Sequence, residues 1–135
     1  MKIFSEKITV RSTGRASFVD ITSEAKDFVR KSGITNGVLF VFVPHTTCGV
    51  IVNENYDPTV QEDIQDALYK IAPRSSGYKH TEGNADAHIK TAIVGNSLSL
   101  PVEDSKINFG TWQGIFVTDF DGPRTRQVLF KILGE

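Results

Sequence analysis

The sequence predicts a single α+β domain over residues 1–135, with about three helices and a mixed or mostly antiparallel β-sheet. In the first two thirds of the chain, strand-like and helix-like hydrophobic periods alternate. In the last third the period is two, broken by the turn-forming segments EDSK and DGP, which indicates an antiparallel meander. No repeat or Gly/Ser/Pro-rich linker divides the 135 residues, and this length suffices for one core. Helices clustered between strands predict that the helices cover one side of the sheet.

The N-terminal third begins with a predicted strand from Ile3 to Arg11, because apolar and polar residues alternate there. A helix follows, with Thr22 or Ser23 as its N-cap and Gly33 at its C-terminus. The apolar stripe of this helix contains Ala25, Phe28 and Val29.

The middle of the chain contains an apolar run from Gly37 to Val43, which predicts a central strand buried on both faces. A short strand from Gly49 to Val52 comes next. Asp57 as N-cap and Pro58 at the first helical position open a second helix, which ends before Pro73. Its residues at helical spacing are Val60, Ile64, Ala67, Leu68 and Ile71.

After a polar loop from Arg74 to Gly83, Asn84 is the predicted N-cap of a third helix that ends before Gly95. Its predicted inward face consists of Ala85, His88, Ile89, Ala92 and Ile93. The remaining predicted strands are Ser97 to Val102, Lys106 to Phe109, Gly114 to Phe120 and Arg124 to Leu133.

The charge balance limits the kinds of partner. Lys and Arg total 15 and Asp and Glu total 16, so the net charge of -1 offers no field that would attract nucleic acid or an anionic membrane. Charges interrupt the N-terminal segment, and no apolar run reaches membrane-spanning length, so we expect a cytoplasmic protein. The single cysteine, Cys48, lies beside Val50 and Ile51, which predicts a buried apolar residue and not a nucleophile.

The first polar block is PHTTCGVIVNENYDP, which places an imidazole and two hydroxyls at a strand end. Strand ends often present functional side chains, so His45 is a candidate for proton transfer or metal binding. The alternative is a surface histidine beside a turn.

The second block, HTEGNADAH, places His80 in a loop and His88 inside a helix. Together with His45 they match the three protein ligands of a catalytic zinc, although the spacing follows no standard zinc motif. The alternatives are a satisfied core histidine at position 88 and a histidine site without metal.

The third block is GTWQGIFVTDFDGPRTR. Arg124 and Arg126 lie on the same face of an extended segment, and two guanidinium groups suit a phosphate or carboxylate. The alternative is a solvated strand face on which Asp119 or Asp121 pairs with the arginines. The chain contains no P-loop and no dinucleotide fingerprint, so neither ATP nor NAD is predicted.

Taken together, the three blocks resemble the YjbQ family, also called the secondary thiamine-phosphate synthase family, from near Lys2 to Leu133. The resemblance implies a compact α+β fold, a homotrimer and a weak or secondary thiamine-phosphate synthase activity. Asp119 is left out of the expected site, because the family often has Glu there. The family pattern maps onto His45, Thr46, Thr47, Asn53, Glu54, Asp57, His80, Glu82, Gly83, Asn84, His88, Gly110, Trp112, Gln113, Asp121, Arg124 and Arg126.

These observations lead to one leading hypothesis, an enzyme that acts on a phosphorylated small molecule. Its expected catalytic residues are His45, His88 and Glu54. Its expected substrate-binding residues are Thr46, Thr47, Asn84, Gln113, Arg124 and Arg126. A divalent metal on His45, His80 and His88 would more naturally be zinc than magnesium, because histidines outnumber the obvious magnesium ligands. The alternatives are a zinc-dependent hydrolase and a non-catalytic ligand-binding or oligomeric interaction protein.

Overall fold

The computed structural model describes residues 1–135, which form eight strands and three helices. None of the helices is long and apolar enough to cross a lipid bilayer. The elements in chain order are β1 (Lys2–Arg11), β2 (Ser17–Asp20), α1 (Thr22–Ser32), β3 (Gly37–Phe42), β4 (Cys48–Glu54), α2 (Pro58–Ile71), α3 (Ala85–Val94), β5 (Ser97–Glu103), β6 (Lys106–Ile107), β7 (Gln113–Asp119) and β8 (Thr125–Gly134).

The strands form two antiparallel sheets, which confirms the predicted α+β class. The larger sheet has the order β1-β8-β3-β5-β6, and the smaller sheet has the order β2-β7-β4. The strands of the C-terminal third are antiparallel, but only β5 and β6 form a hairpin as in a meander. The next strand, β7, pairs with β2 and β4 in the smaller sheet, and β8 returns to lie between β1 and β3.

The main core lies between the two sheets and beneath α1. Leu39 and Phe130 enter it from the larger sheet, Val50 and Val117 from the smaller sheet, and Phe28 from α1. A smaller apolar cluster around Leu68 and Phe120 joins α2 and α3 to the rest of the molecule.

Strand β3 is central in its sheet, but the prediction that both of its faces are buried is wrong. Leu39 and Val41 are fully buried, whereas Val38, Phe40 and Phe42 are exposed on the opposite face. A continuous apolar run shows only that both faces of the strand are apolar. In this structure the rest of the chain covers the face of Leu39 and Val41 and leaves the opposite face exposed.

Two of the predicted helix caps differ from the structure. Helix α1 begins at Thr22, so Ile21 and neither Thr22 nor Ser23 is at the N-cap position. The Thr22 backbone N–H donates a hydrogen bond to Asp20 Oδ1 at 2.9 Å. Asn84 is at the N-cap position of α3 but makes no capping bond with its side chain. For α2 the prediction is confirmed, since Asp57 accepts a hydrogen bond from the Thr59 backbone N–H and Pro58 is the first helical residue.

The apolar spacing of α2 buries little, and the predicted inward face of α3 needs correction. In α2 only Leu68 is buried, and Ile71 is exposed. In α3 the exposed residues include Ile89 and Ile93, and the buried ones are Ala85, Asp86, Ala87, Lys90 and Thr91. The polar face of α3 is turned inward because Asp86 has two cationic partners there.

Asp86 fixes helix α3 against the segment that joins β1 and β2. Its carboxylate accepts hydrogen bonds from both terminal nitrogens of Arg15, at 3.0 and 3.1 Å, and from Lys90 Nζ at 2.8 Å. Burial by itself raises the pKa of Asp86, but the bonds from Arg15 and Lys90 outweigh that effect and lower the pKa to about 2. The carboxylate is therefore ionised, and it sets the position of a helix that carries two predicted site residues, Asn84 and His88.

Replacing Asp86 with alanine leaves Arg15 and Lys90 without their buried counter-charge, so we expect Asp86→Ala to lower the free energy of unfolding by about 3–5 kcal/mol. Urea denaturation measures this change. Asp27→Ala is the matched control, because Asp27 also pairs with an arginine but lies on the surface. A similar loss in both variants would contradict the role of Asp86.

The same ion pair predicts a dependence on acid. Because the pKa of folded Asp86 lies at about 2 and the ordinary value is 3.8, its stabilising effect is present above pH 3.8 and is lost as the pH falls towards 2. The difference in unfolding free energy between the wild-type protein and Asp86→Ala should therefore shrink over this range. A difference that stays constant would show that the carboxylate's charge contributes nothing.

Candidate functional site

A polar cavity of about 670 Å³ opens where β3 and β7 end and where β4 and β8 begin. The N-terminal half of α3 forms another wall. The lining residues are Phe42, Pro44, His45, Thr46, Thr47, Glu82, Asn84, His88, Asn96, Asp121, Arg124 and Arg126. Seven of the predicted site residues therefore meet in one place, from all three sequence blocks.

The floor of the cavity is a buried ion pair between Asp119 and Arg126. Arg126 donates from Nε to Oδ2 of Asp119 at 2.9 Å and from Nη2 to Oδ1 at 2.7 Å. Asp119 also accepts hydrogen bonds from the Ser12 hydroxyl at 2.6 Å and from the Asp121 backbone N–H at 2.9 Å. Burial raises the pKa of Asp119, but the bonds from Arg126 and Ser12 outweigh it and lower the pKa below 3.8.

The Thr47 side chain is polarised by the same arginine. Its Oγ1 accepts a hydrogen bond from Arg126 Nη2 at 2.9 Å, and the side chain is almost fully buried. Because the hydroxyl oxygen is the acceptor in this bond, the hydroxyl hydrogen stays available as a donor. Arg126 thus lines the cavity itself and also orients the Thr47 hydroxyl.

His45 is held as a neutral imidazole. Its Nε2 accepts a hydrogen bond from the Gln127 backbone N–H at 2.9 Å, and an amide N–H can only donate. The ring proton is therefore on Nδ1. Burial and the nearby Arg126 guanidinium lower the pKa of His45 below 6.5, so the neutral form prevails at neutral pH.

Asn84, Asp121 and Arg124 form a second polar group at the rim. Asn84 Nδ2 donates to Asp121 Oδ2 at 2.9 Å, which explains why this side chain does not cap α3. Asn84 Oδ1 is buried without a donor. Arg124 donates from Nε to the Asp121 carbonyl and from Nη2 to its carboxylate, and its Nη1 makes no protein hydrogen bond.

The three histidines do not form a preassembled metal site. No group of three or more His, Cys, Asp or Glu side chains is arranged to hold a metal ion. His80 contacts His88 with ring centroids 5.2 Å apart, but His80 does not line the cavity. His45 has no free ring lone pair, because Nε2 accepts from Gln127 and Nδ1 carries the proton. A zinc ion would fit only after His45 released Gln127, so the predicted three-histidine metal site stays a prediction.

Comparison with known proteins agrees with the resemblance seen in the sequence. A family model described as UPF0047 protein YjbQ-like matches residues 6–135. The chain belongs to the YjbQ family. It is 42% identical to a UPF0047 protein of Methanocaldococcus jannaschii over 96% of this chain and 94% of that protein, and 40% identical to YugU of Bacillus subtilis over 94% of this chain and 97% of that protein.

Solved structures of YjbQ relatives have the same fold. A YbjQ-like protein of unknown function from Sulfolobus solfataricus aligns with a TM-score of 0.96, at 36% identity and over 99% of both chains. A YjbQ/UPF0047 protein from Clostridium acetobutylicum aligns with a TM-score of 0.93, at 44% identity, over 95% of this chain and 99% of that one. The arrangement of strands around the cavity is therefore that of the YjbQ fold.

Besides His80, two predicted site residues of this YjbQ protein, Glu54 and Gln113, do not line the cavity. Glu54 at the end of β4 is paired with Gln113 at the start of β7, whereas Cys48 and Asp119 form the pair at the cavity end of the same strands. Glu54 accepts a long hydrogen bond from the Asp57 backbone N–H at 3.3 Å, and Gln113 Oε1 accepts a hydrogen bond from the Gly110 backbone N–H at 2.8 Å. The structure of one chain thus separates these two residues from the rest of the predicted site.

Sequence reasoning also missed residues that the structure brings to the site. Asp119 was left outside the expected site and named only in the alternative as a partner of the arginines, and it is the carboxylate that orients Arg126. Ser12 supports it from the end of β1, and no local pattern marks that serine. Asn96 and Phe42 line the cavity because β3 and β5 are neighbours. For Asp119, a signal was present, since a carboxylate inside an apolar strand needs a buried partner.

The prediction for Cys48 is consistent with the structure. Its side chain is fully buried, and burial raises the pKa of the thiol to about 12. A thiol in this state is not a nucleophile at neutral pH.

The geometry of His45 predicts a specific NMR result. Long-range ¹H–¹⁵N spectra should show a neutral Nδ1–H tautomer for His45, assigned by its loss in His45→Gln, with a pKa below 6.5. The corresponding contribution to stability should be present above pH 6.5 and be lost as the pH falls below it. An Nε2–H tautomer would contradict the bond from Gln127.

The same spectra test the predicted metal site. If the observed arrangement persists, added Zn²⁺ should leave the His45 nitrogen shifts unchanged. Joint shifts of His45, His80 and His88 at one equivalent of zinc would instead establish the three-histidine site and show that Gln127 is released.

Proposed function

We propose that this YjbQ protein is an enzyme that binds a phosphorylated small molecule in the cavity of His45, Thr47 and Arg124. The observation that supports this most strongly is a cluster of unused hydrogen-bond donors. Thr47 has a free hydroxyl hydrogen, and Arg124 Nη1 makes no protein hydrogen bond. His45 presents an Nδ1–H because its other nitrogen is an acceptor. Phosphate oxygens accept only, so a donor-rich wall suits them.

Net charge does not explain the proposed selectivity, because both arginines have carboxylate partners. Arg126 is bound to Asp119, and Arg124 is bound to Asp121. A ligand is therefore selected by the direction of the donors, not by a strong positive field. This arrangement favours a phosphate ester with other polar groups over free inorganic phosphate.

The two cavity histidines have different proposed roles. His45 donates a hydrogen bond to the ligand, since Gln127 prevents Nε2 from acting as a base. His88 is half-buried in the cavity wall and makes no hydrogen bond through its side chain, so it is the proposed general base or acid. Asn84 Oδ1, buried without a donor, is the proposed acceptor for a ligand N–H or O–H.

The family resemblance extends the proposal to a secondary thiamine-phosphate synthase activity. In that reaction the ring nitrogen of a thiazole phosphate bonds to the methylene carbon attached to a pyrimidine ring and displaces pyrophosphate from it, so both substrates are phosphorylated. We also propose a homotrimer and a cytoplasmic location. A reducing compartment suits a chain whose single cysteine is buried.

The proposal predicts that Arg124→Gln weakens binding of phosphorylated ligands at least tenfold, because it removes the free guanidinium donor. Isothermal titration calorimetry with thiamine phosphate and with inorganic phosphate measures the effect. Arg30→Gln is the matched control, since Arg30 is also exposed and also pairs with an aspartate three residues before it. Equal affinities for both variants would refute the phosphate site.

Turnover is tested with the pyrimidine diphosphate and thiazole phosphate substrates, and thiamine phosphate is detected by fluorescence after oxidation. We expect slow product formation that His88→Gln and Arg124→Gln reduce at least tenfold and Arg30→Gln leaves unchanged. If the protein binds phosphorylated metabolites but converts none of them, including the two thiamine-phosphate precursors, the ligand-binding alternative would be favoured instead.

A further inference from the structure

The cavity and the outlying residues Glu54 and Gln113 lie at opposite ends of the same pair of strands. Asp119 and Gln113 are the two ends of β7, six residues apart. At about 3.3 Å per residue, this separates them by roughly 20 Å. Glu54 therefore has no access to the cavity of its own chain.

The outlying end carries an exposed aromatic pair. Trp112 and Tyr56 contact each other edge-to-face with ring centroids 5.2 Å apart, and their side chains are 56% and 76% exposed. Exposed tryptophan and tyrosine side chains in mutual contact are typical of the anchors of protein–protein interfaces.

A second exposed apolar surface lies beside the cavity, on the outer face of the larger sheet. Phe40 and Phe42 are about 40% exposed there, and the half-buried Leu129 pairs with Phe42. Phe42 also lines the cavity, so this surface is continuous with the site. We call it the outer face, and it consists of Ile3, Val38, Phe40, Phe42, Leu129 and Leu133.

The two surfaces have complementary charge. On the outer face, register pairs place Lys131 beside Phe40 and Lys7 beside Leu129. In the chain segment that carries Tyr56, residues 53–66 contain five carboxylates and no lysine or arginine. An acidic end with exposed aromatic rings thus matches a basic face with exposed apolar side chains.

We propose that a second copy of this chain completes the site, by packing its Tyr56–Trp112 pair on the outer face and bringing its Glu54 to the rim of the first copy's cavity. The contact joins two different surfaces, so it is heterologous and closes into a ring when the rotation allows. Glu54 then adds a carboxylate beside the donors of His45 and Arg124, where it binds a cationic or N–H group of the ligand. The ligand-binding role given to Glu54 rests on the proposed function, whereas the contact between the two copies does not depend on it.

Photo-cross-linking tests the contact without any assay of activity. Trp112 is replaced with p-benzoylphenylalanine, which keeps an aromatic ring at the anchor position. Irradiation should yield covalent dimers in denaturing gels, and mass spectrometry should locate the adduct in the outer-face strands, at residues 2–11, 37–46 or 125–134. Tyr69 is the matched control position, because it is 57% exposed but lies outside both surfaces. No dimer, or an adduct on α2 or α3, would overturn the proposal.

Mixed oligomers test whether Glu54 acts in the cavity of another copy. Glu54→Gln and Arg124→Gln chains carry different tags, are co-expressed, and are purified through both tags. Each variant alone should be nearly inactive. In a mixed ring of three, one site combines an intact Arg124 with an intact Glu54 from the next copy, so about one third of wild-type activity should return.

The two proposals fail in different ways. No recovery in mixed oligomers that native mass spectrometry confirms would overturn the shared site, because it would show that Glu54 does not act across copies. Absence of any turnover by the wild-type protein would instead count against the proposed function, and the cross-link would still decide the contact.

Discussion

A buried ion pair between Asp119 and Arg126 joins the two sheets at the floor of the cavity. Asp119 ends a strand of the smaller sheet, and Arg126 lies in β8 of the larger sheet. Neither group tolerates burial alone, because an unpaired buried charge costs several kcal/mol. The pair therefore fixes the relative position of four chain segments, since Ser12 is bonded to it from the end of β1 and Thr47 from the start of β4. Close packing adds to this constraint at Gly122, where a side chain would run into the Gly14 carbonyl and the Ser12 hydroxyl.

This constraint explains why the cavity is polar but presents no strong positive field to a ligand. Each arginine is paired with an aspartate, and the donors left for a ligand include hydroxyls, an imidazole N–H and a guanidinium nitrogen of Arg124. Such fixed dipoles need little reorganisation when a ligand binds, which is an advantage where charge develops during a reaction. The neutral state of His45 follows from the same network, because Gln127 of β8 donates to it and Arg126 disfavours its protonation.

The exposed apolar surfaces have a common origin in the layer order of the fold. The smaller sheet and α1 cover one face of the larger sheet, and α2 and α3 pack beyond the smaller sheet. No helix of the chain is left to cover the second face of β3, although that face carries phenylalanine. The loop before β7 likewise leaves Trp112 in solvent. Exposed apolar surfaces of this kind often mark interaction sites, and this is the physical basis of the proposed contact between two copies.

The sequence by itself determined the local elements and the chemistry at their ends. Period-two and helical spacings, the Asp57–Pro58 cap and the turn residues act over a few residues, so the class of fold and most strand positions were predictable. His45, Thr47, Arg124 and Arg126 were predictable as candidates because they follow or begin strands. Only the tertiary structure decided which face of β3 is covered, that α3 turns Asp86 inward and that β7 leaves the meander for the other sheet. It also decided that Asp119 orients Arg126 and that Glu54 lies far from His45. These outcomes depend on how strands and helices pack in three dimensions, and a sequence pattern shows that a face is apolar without showing what will cover it.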